Sequence, residues 1–262
     1  MRPDSLRLVT LNTWKCDGDY PQRLRAMQVQ LGQLRPDIVL LQEVFTLASG
    51  EADTAQTLAD KLGLRCYAER ARRKPRWHDG HWVDSCSGMA VLSRFPLLNY
   101  AGLVLPTVAA DGERVAQWCQ FDCAGATLLA GNVHLSHLPH EPGLRQRQLQ
   151  CLLEHPLYQH RTGPALLGGD FNASLAAPEI QAFVKPPSGL CCAFSDSMVH
   201  ATHIDEAGQE RDLDHVLIAP GLHGEHCQVL QAQVVFNGIV PPQRIQVSDH
   251  FGICVDFRLI NP

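Results

Sequence analysis

The sequence feature that most constrains the fold of this chain is a set of short apolar runs that end in polar side chains. One such run, Leu166-Leu167-Gly168-Gly169, leads directly into Asp170 and then Asn172. A run of this length predicts a buried strand, and α/β folds keep their reactive groups where such strands end. The two glycines would let backbone and ligand approach closely. A lone Gly-Asp-x-Asn segment is equally consistent with a tight turn, so its interpretation depends on partners elsewhere.

Similar segments recur along the chain and define a fold class. Apolar or alternating segments that predict strands are residues 6–11, 37–41, 88–94, 114–123, 126–133, 165–169, 213–218, 228–236 and 251–257. Helical spacing is found at residues 20–34, 51–63, 142–153 and 178–183. In the third of these helices, the polar run from Arg145 to Gln148 predicts an exposed face. The polar stretch 69–84 predicts a long loop. Roughly ten strands and four helices favour two packed, antiparallel or mixed sheets with helices outside.

Composition describes an ordinary globular chain. Apolar residues make up 45% of the 262 positions, which is enough for a sizeable core. Nothing marks an interdomain linker, and the Pro-rich stretches 185–189 and 240–242 read as loops, so we expect one domain over residues 1–262. The net charge of −5 argues against a protein that coats nucleic acid or acidic membranes by bulk charge. A net charge of this size is compatible with a nuclease that uses metal ions and a local basic patch.

The beginning of the sequence and its cysteines bear on the cellular compartment. The first residues run into a strand-like segment without an apolar signal region, and no long apolar span follows, which predicts a cytoplasmic protein. The ten cysteines are scattered, with no Cys-x-x-Cys pair, so we expect reduced thiols, several of them core filler. Cys119 and Cys123 have histidines nearby, but no clean set of four zinc ligands accompanies them.

A set of polar residues shares one position, the end of a predicted apolar strand. They are Asn12, Glu43, His134, Asp170, Asn172, Asp214, Asp249 and His250. Each alone has an ordinary explanation as a cap, a turn or a solvated strand end. Together they supply the oxygen ligands that Mg²⁺ takes and histidines that can move a proton. Hydrolysis of a phosphate ester requires this inventory, and Glu43 is the best candidate metal ligand.

The order of these residues resembles a known superfamily. The matching motifs are Leu11-Asn12-Thr13-Trp14, Gln42-Glu43-Val44, Gly88 to Arg94, Asn132-Val133-His134-Leu135, Gly168 to Asn172, Leu213-Asp214-His215 and Ser248-Asp249-His250. Together they closely resemble the endonuclease/exonuclease/phosphatase superfamily over residues 6–257. That group includes type I deoxyribonucleases, apurinic endonucleases, neutral sphingomyelinases and inositol polyphosphate 5-phosphatases.

The resemblance implies both a fold and a metal site. The fold would be a four-layer α/β sandwich, with two packed mixed β-sheets flanked by helices and the site at one end of the sheets. Glu43 would be the main ligand of Mg²⁺ or Mn²⁺. Asn12 would contribute at the metal or the phosphate, and Asp249 would support the metal region.

The resemblance also implies roles for the remaining residues. Asp170 and Asn172 would position the attacking water and the phosphate. His250, oriented by Asp214, would be the general base or a phosphate-binding histidine, and His134 would contact the phosphate or help the leaving group. The expected substrate contacts are Trp14, Arg94 and His137, although His137 is also explained as an ordinary surface histidine.

The residues narrow the function within the superfamily. Apurinic endonucleases usually carry a tyrosine at the position of His134, so the chain resembles the deoxyribonuclease, sphingomyelinase and small-phosphodiesterase members more closely. The missing signal region argues against the secreted substrates of those groups. We expect a metal-dependent phosphodiester hydrolase that acts on nucleic acid, a lipid headgroup or a small diester. The alternatives are a phosphomonoesterase acting on a sugar, inositol or nucleotide phosphate, and a non-catalytic binding protein on the same fold.

Partner contacts are predicted in one region. Basic and aromatic side chains interleave from Arg70 to Trp82, and this stretch would grip a nucleic-acid backbone or a lipid headgroup. A solvated loop whose tryptophans pack back on the body explains the same pattern. The chain is expected to be a monomer.

Overall fold

Strands outnumber helices in the structure, a computed structural model that describes residues 5–184, 189–194, 200–205, 207–239 and 245–260. The strands are β1 (Leu6–Asn12), β2 (Ile38–Leu47), β3 (Arg65–His78), β4 (His81–Ser93), β5 (Leu97–Val104), β6 (Val115–Cys123), β7 (Ala126–His134), β8 (Ala165–Asp170), β9 (Cys191–Cys192), β10 (His203–Ile204), β11 (Glu210–Arg211), β12 (Asp214–Ala219), β13 (His226–Val235) and β14 (Gly252–Ile260). The helices are α1 (Tyr20–Leu34), α2 (Thr54–Leu62), α3 (Pro142–Leu153), α4 (Pro156–Gln159) and α5 (Pro178–Gln181).

Two mixed six-stranded sheets form the body of the protein. The first has the order β13-β14-β1-β2-β4-β3, and the second has the order β5-β6-β7-β8-β12-β9. Each sheet contains one parallel pair, β1 with β2 and β7 with β8, beside antiparallel neighbours. Strands β10 and β11 form a separate small sheet. The predicted pair of packed mixed sheets is therefore confirmed.

Successive residues of the central strands bury opposite faces, which makes four layers. Val39 packs with Met27 of α1 on the outer face of the first sheet, whereas Leu40 packs with Leu166 between the sheets. Leu167, next to Leu166, belongs to the apolar layer between the second sheet and α3. Burial of each such side chain stabilises the fold by about 1.5–3 kcal/mol. Because these strands are covered on both faces, they read as continuous apolar runs rather than alternating ones.

The start of α1 follows from local sequence signals. The Asp19 side chain caps the helix by accepting a hydrogen bond from the backbone N of Gln22, and Pro21 occupies the first turn. Arg35 ends the helix in the left-handed conformation, with φ 51°, just before Pro36. The helix predicted at residues 20–34 is therefore confirmed.

The polar stretch 69–84 is not a loop, which corrects the prediction. Strands β3 and β4 pair there as an antiparallel hairpin, and Asp79 and Gly80 form its turn with φ 49° and 78°. Strand β3 is an edge strand with mostly exposed side chains, so no apolar run marks it. The Asp-Gly pair is a strong hairpin signal, and it was the feature of the sequence that could have revealed the two strands.

Other local predictions differ in smaller ways. The helix expected at 51–63 is shorter, at Thr54–Leu62, and strand β5 was not predicted. Residues 185–188 and 240–242, expected to be loops, lie outside the described residues. In the described ranges, no helix combines the length and the apolar character needed to cross a membrane.

The cysteines act as packing groups. None of the ten cysteines, which all lie in the described ranges, forms a disulfide, as expected for reduced thiols. Cys119 and Cys123 are buried in the apolar layer between the two sheets. Burial raises the pKa of the Cys123 thiol to about 12. Because a metal ligand must be the thiolate, this position favours core packing over zinc binding.

Candidate active site

Strand ends from both sheets meet at one edge of the sandwich. Strands β1, β7 and β8 end there, and β12 and β14 begin there because they run antiparallel to β8 and β1. The register places Asp170 directly beside both His134 and Asp214, and Asn12 beside Gln42. These strand ends surround an open cleft with about 680 Å³ of empty space.

Most of the predicted site residues line this cleft. They are Asn12, Glu43, His134, His137, Asp170, Asn172, Asp249 and His250. Asp214 lies buried beneath His250 and is bonded to it. Four cations that the site prediction did not include also line the cleft, namely Lys15, Arg72, Lys74 and Arg114.

A bulge in β2 turns Glu43 into the cleft. The pairing of β2 with β4 shifts between Leu41 and Val44, and Glu43 has φ 52°. A positive φ is uncommon in a residue other than glycine and persists where the surrounding structure enforces it. The carboxylate Oε2 of Glu43 lies 2.7 Å from Lys15 Nζ. The strand thus departs from regular pairing at Glu43, which is the best candidate metal ligand.

Asp170 is the centre of the site. Its Oδ2 accepts a hydrogen bond from Asn12 Nδ2 at 3.0 Å and lies 3.5 Å from His134 Nε2 and 3.8 Å from His250 Nε2. Burial raises the pKa of the Asp170 carboxyl, against the charge of His250, and the neighbouring Asp214 carboxylate raises it further. A buried carboxylate with two histidines within 4 Å is well placed to exchange protons with its neighbours.

The segment that contains Asp170 is both a tight turn and part of the cleft. Asn172 has φ 51°, and its backbone N donates to Asp170 Oδ1 at 2.9 Å, which closes the turn. Gly169 has φ 145°, and a Cβ there would lie 2.0 Å from the carbonyl oxygen of Val133. The glycine is therefore required for the approach of β7 to β8, and not for the approach of a ligand as the sequence suggested.

His250 is held by Asp214. Its Nδ1 donates to Asp214 Oδ2 at 2.8 Å, which leaves Nε2 directed toward Asp170. The backbone N of Asp214 in turn donates to Thr202 Oγ1 at 2.9 Å. Burial lowers the pKa of His250, but the charges of Asp214 and Asp170 outweigh it and raise the pKa to about 10. The imidazole is charged at neutral pH, which favours the phosphate-binding role over the general-base role for this arrangement.

His134 has the opposite protonation state. Burial lowers its pKa well below the usual value, and the charges of Arg114 and His250 lower it further. A neutral and a charged imidazole therefore flank Asp170. Titratable groups whose environments push their pKa values apart are typical of acid–base sites.

The charge of His250 predicts a specific dependence of stability on pH. Since its pKa is raised from 6.5 to about 10, the contribution to stability is complete below pH 6.5 and is lost as the pH rises through 10. Urea unfolding of the wild type should therefore show a loss on the order of 4 kcal/mol between pH 6 and 10 that is much smaller in Asp214→Asn. Asp60→Asn, on the surface of α2, is the matched control. Parallel stability profiles for the wild type and Asp214→Asn would contradict the assigned pairing.

Sequence reasoning missed the segment behind His250. The ring of His203 lies 4.7 Å from that of His250, and its Nδ1 is buried without a hydrogen-bond partner among the described residues. The adjacent Thr202 holds Asp214 in place. The sequence has no apolar run here that would predict a strand, because β10 contains only two residues.

A buried polar network behind Glu43 also went unpredicted. Gln42 Nε2 donates to Asn132 Oδ1 at 2.7 Å, and Asn132 Nδ2 donates to the Leu41 carbonyl at 3.0 Å and to Gln117 Oε1 at 3.1 Å. These contacts join the first sheet to the second across the core. These hydrogen bonds fix the two halves of the site relative to each other, and Gln42 Oε1 is the atom of the network that has no partner among the described residues.

Two of the expected substrate contacts, Arg94 and Trp14, are not among the residues that line this cleft. Strand β4 runs antiparallel to β2, so Arg94 follows its far end, where its Nε lies 2.8 Å from Asp37 Oδ1. Trp14 packs against the guanidinium of Arg23, 4.8 Å from the ring centroid. The backbone N of Trp14 donates to Asn12 Oδ1 at 3.0 Å, so Trp14 helps to orient Asn12.

The donor groups of the cleft suit a hard divalent cation. Glu43, Asp170 and Asp249 bring carboxylates to it. Asp214 Oδ1 is buried with no hydrogen-bond partner in the described part of the chain. One cluster with ligand atoms within 4.8 Å of one another consists of Asp170, Asp214 and His250, but hydrogen bonding already explains it. Because Mg²⁺ takes oxygen ligands, the carboxylates of Glu43 and Asp249 fit it better than this histidine-containing cluster.

Solved structures share this architecture. The crystal structure of humanized D. rerio TDP2 with 14 mutations superposes with a TM-score of 0.75 and 17% identity, covering 97% of this chain and 99% of that one. The human nocturnin catalytic domain with bound sulfate gives a TM-score of 0.75 and 20% identity, over 99% and 95% of the two chains. An endonuclease/exonuclease/phosphatase from Beutenbergia cavernae gives 0.74 and 22%, over 98% and 72%. No curated protein sequence matches the chain.

The sequence itself matches a family. Residues 9–250 match the model of the endonuclease/exonuclease/phosphatase family, which is most of the chain. The protein belongs to this family, whose members are metal-dependent phosphoesterases. The resemblance seen in the sequence motifs and the expected four-layer sandwich are both confirmed.

Proposed function

We propose that this protein hydrolyses phosphodiesters, with water as the nucleophile and with Mg²⁺ or Mn²⁺ as the cofactor. The observation that carries the proposal is Asp170, a buried carboxylate flanked by the neutral His134 and the charged His250. The substrate class is a nucleic acid or a small phosphodiester. Cleavage of such a bond requires a proton acceptor, a group that offsets charge on the phosphate, and a proton for the departing oxygen.

The residues of the chain can fill these needs. Asp170 orients the attacking water and takes its proton, since burial has made this carboxyl more basic than usual. His250, charged and fixed by Asp214, donates a hydrogen bond to a phosphate oxygen and can release its proton to the departing oxygen. The neutral His134 donates or accepts a hydrogen bond at the same phosphate. The turn at Asn172 keeps the Asp170 carboxylate from rotating.

The metal would be held at the opposite wall of the site. Glu43, with Asp249 and Asn12, would bind the divalent ion. When bound, the ion supplies positive charge that stabilises the phosphate oxygens as negative charge develops on them. Lys15 Nζ lies 2.7 Å from the Glu43 carboxylate, so its positive charge is also close to where the phosphate would bind.

Phosphomonoester hydrolysis is the second candidate function. The cations Lys15, Arg72, Lys74 and Arg114 line the cleft, and their number would suit the doubly charged phosphate of a monoester. Nucleic acid is one of the phosphodiesters to be tested, because one D. rerio TDP2 structure is a complex with a single strand DNA product.

A substrate panel with metal titration tests the proposal. The panel contains bis(p-nitrophenyl) phosphate, p-nitrophenyl phosphate and a single-stranded oligonucleotide, each with Mg²⁺, with Mn²⁺ and with EDTA. Diester hydrolysis should fall by about 100-fold or more in EDTA and return with added metal. Faster turnover of the monoester would favour the second candidate. A lack of metal-dependent turnover on all three substrates would contradict both.

A further inference from the structure

A second compartment lies beside the catalytic cleft. This space, of about 510 Å³ including its open mouth, lies between the β3–β4 hairpin and the segment 111–115. The residues that line both spaces are Lys15, Glu43, Arg72, Lys74, Arg114 and His134. Because the same residues border both spaces, the two spaces are direct neighbours along this wall.

Strand β3 gives this compartment its positive charge. Arg72, Lys74 and Arg76 alternate along the strand and all line the space. Arg73, between them, instead forms an ion pair with Asp84 of β4. The three cations therefore lie on one side of the hairpin, and the neutralised arginine lies on the other.

Arg76 is buried without a counter-charge. Its side chain lines the compartment, and the residue is only 5% exposed. Nη1 donates to Ser85 Oγ at 2.9 Å and Nη2 to Ser87 Oγ at 2.8 Å, whereas Nε has no hydrogen-bond partner in the described part of the chain. Among the described carboxylates, none lies within ion-pair distance of it. A buried cation is unfavourable unless an anion compensates it, so this site lacks a partner that a ligand can supply.

The remaining charges of the compartment do not supply that partner. Asp111 is occupied by Arg114, with Oδ1 2.8 Å from Nη2, and Glu43 is occupied by Lys15. Glu113 is the other acidic residue in the lining. Burial and the charges of Arg76 and Arg72 lower the pKa of Lys74, which shows that the cations repel one another.

We propose that this compartment binds a second phosphate group of the substrate, beside the phosphate that is hydrolysed. The inference rests on the proposed function and narrows its substrate class to phosphate esters that carry two phosphate groups. Two serines hold the Arg76 guanidinium in place, so that it contributes a fixed positive charge to the wall of this compartment. Arg72 and Lys74 add charge at the junction with the catalytic cleft.

Binding measured by calorimetry in EDTA tests the inference, because EDTA removes the metal and the probes then bind without being hydrolysed. The probes are thymidine 5′-monophosphate, thymidine 5′-diphosphate, whose phosphates are adjacent, and thymidine 3′,5′-bisphosphate, whose phosphates are separated by the sugar. At least one of the two-phosphate probes should bind on the order of tenfold tighter than the monophosphate. The probe that gains affinity reports the spacing of the two phosphate sites. Equal dissociation constants for all three would overturn the proposal.

Variants connect the gain to the compartment. The double variant Arg72→Ala/Lys74→Ala changes exposed side chains and should abolish the tenfold difference between probes. Arg73→Ala, which removes one positive charge from the same strand, is the matched control and should keep it. Arg76→Met should also abolish it, and its circular dichroism and melting temperature report whether it folds. A difference that survives in the double variant would place the second phosphate elsewhere and overturn the inference.

Turnover separates this inference from the proposed function. The p-nitrophenyl ester of thymidine 5′-phosphate is compared with the same ester carrying a 3′-phosphate, both with Mg²⁺. Equal kcat/KM values, together with equal binding of the three probes, would refute the second phosphate site and leave the hydrolase proposal standing. Tighter binding of a two-phosphate probe without hydrolysis of any substrate in the panel would refute the hydrolase proposal and support an anion site.

Discussion

Replacement of Glu43 by glutamine is expected to lower kcat/KM for a phosphodiester by about 10³-fold or more at millimolar Mg²⁺. Glutamine keeps the length of the side chain and suits the same β2 bulge, but it removes the charge that would hold the cation. Loss of activity should therefore be accompanied by a higher Mg²⁺ requirement. The measurement is the initial rate as a function of Mg²⁺ concentration, together with the melting temperature.

The matched control for this variant is Glu51→Gln, which makes the same chemical change at an exposed position before α2. Its rate and its Mg²⁺ dependence should equal those of the wild type. If Glu43→Gln retains near-wild-type hydrolysis with an unchanged metal requirement, Glu43 is not the principal metal ligand.

The second large effect is expected for His250→Ala, which should lower kcat by about 10²–10⁴-fold. The substitution removes the charged donor beside Asp170 and leaves the Asp214 carboxylate buried and unpaired. Asp214→Asn should lose less activity, because the imidazole remains but is less firmly held and less often charged. Rates from pH 5 to 9 measure this: the wild type and Asp214→Asn should differ in the shape of the profile as well as in its height.

His226→Ala serves as the control, since His226 is exposed on β13 and its ring Nδ1 contacts only the nearby Gly224 carbonyl, at 3.3 Å. It should leave both the rate and the melting temperature unchanged. Full activity in a folded His250→Ala protein would remove His250 from the mechanism.

The sequence predicted the floor of the cleft because that floor depends on local patterns. Asn12, His134 and Asp170 each end a buried apolar strand, and parallel or antiparallel pairing then brings such ends together. The resemblance to the superfamily added the order of the motifs. The bulge that redirects Glu43 could not be predicted, since it is a property of the pairing between β2 and β4.

Most errors in predicting burial from the sequence concerned long polar side chains. The run Arg145 to Gln148 predicts an exposed helical face, yet Arg145 is buried in an ion pair with Glu179, at 2.6 Å, and Gln148 accepts a hydrogen bond from Ser136 N at 2.8 Å. Arg76 belongs to the same class. Burial of these groups is decided by tertiary partners far away in the chain, which neither hydropathy nor periodicity encodes.

Substitutions in the edge strand β3 are expected to disturb the protein less than substitutions at the strand ends inside the sandwich. Residues at the strand ends inside the sandwich are bonded on several sides, so a change at Asp170 disturbs both histidines and Asn12 together. Strand β3 has a sheet neighbour, β4, on one side only, and most of its side chains are exposed. Substitutions or length changes in this ribbon are therefore tolerated by the core. Changes in this one hairpin would therefore alter the proposed second phosphate site while the strand ends around Asp170 keep their contacts.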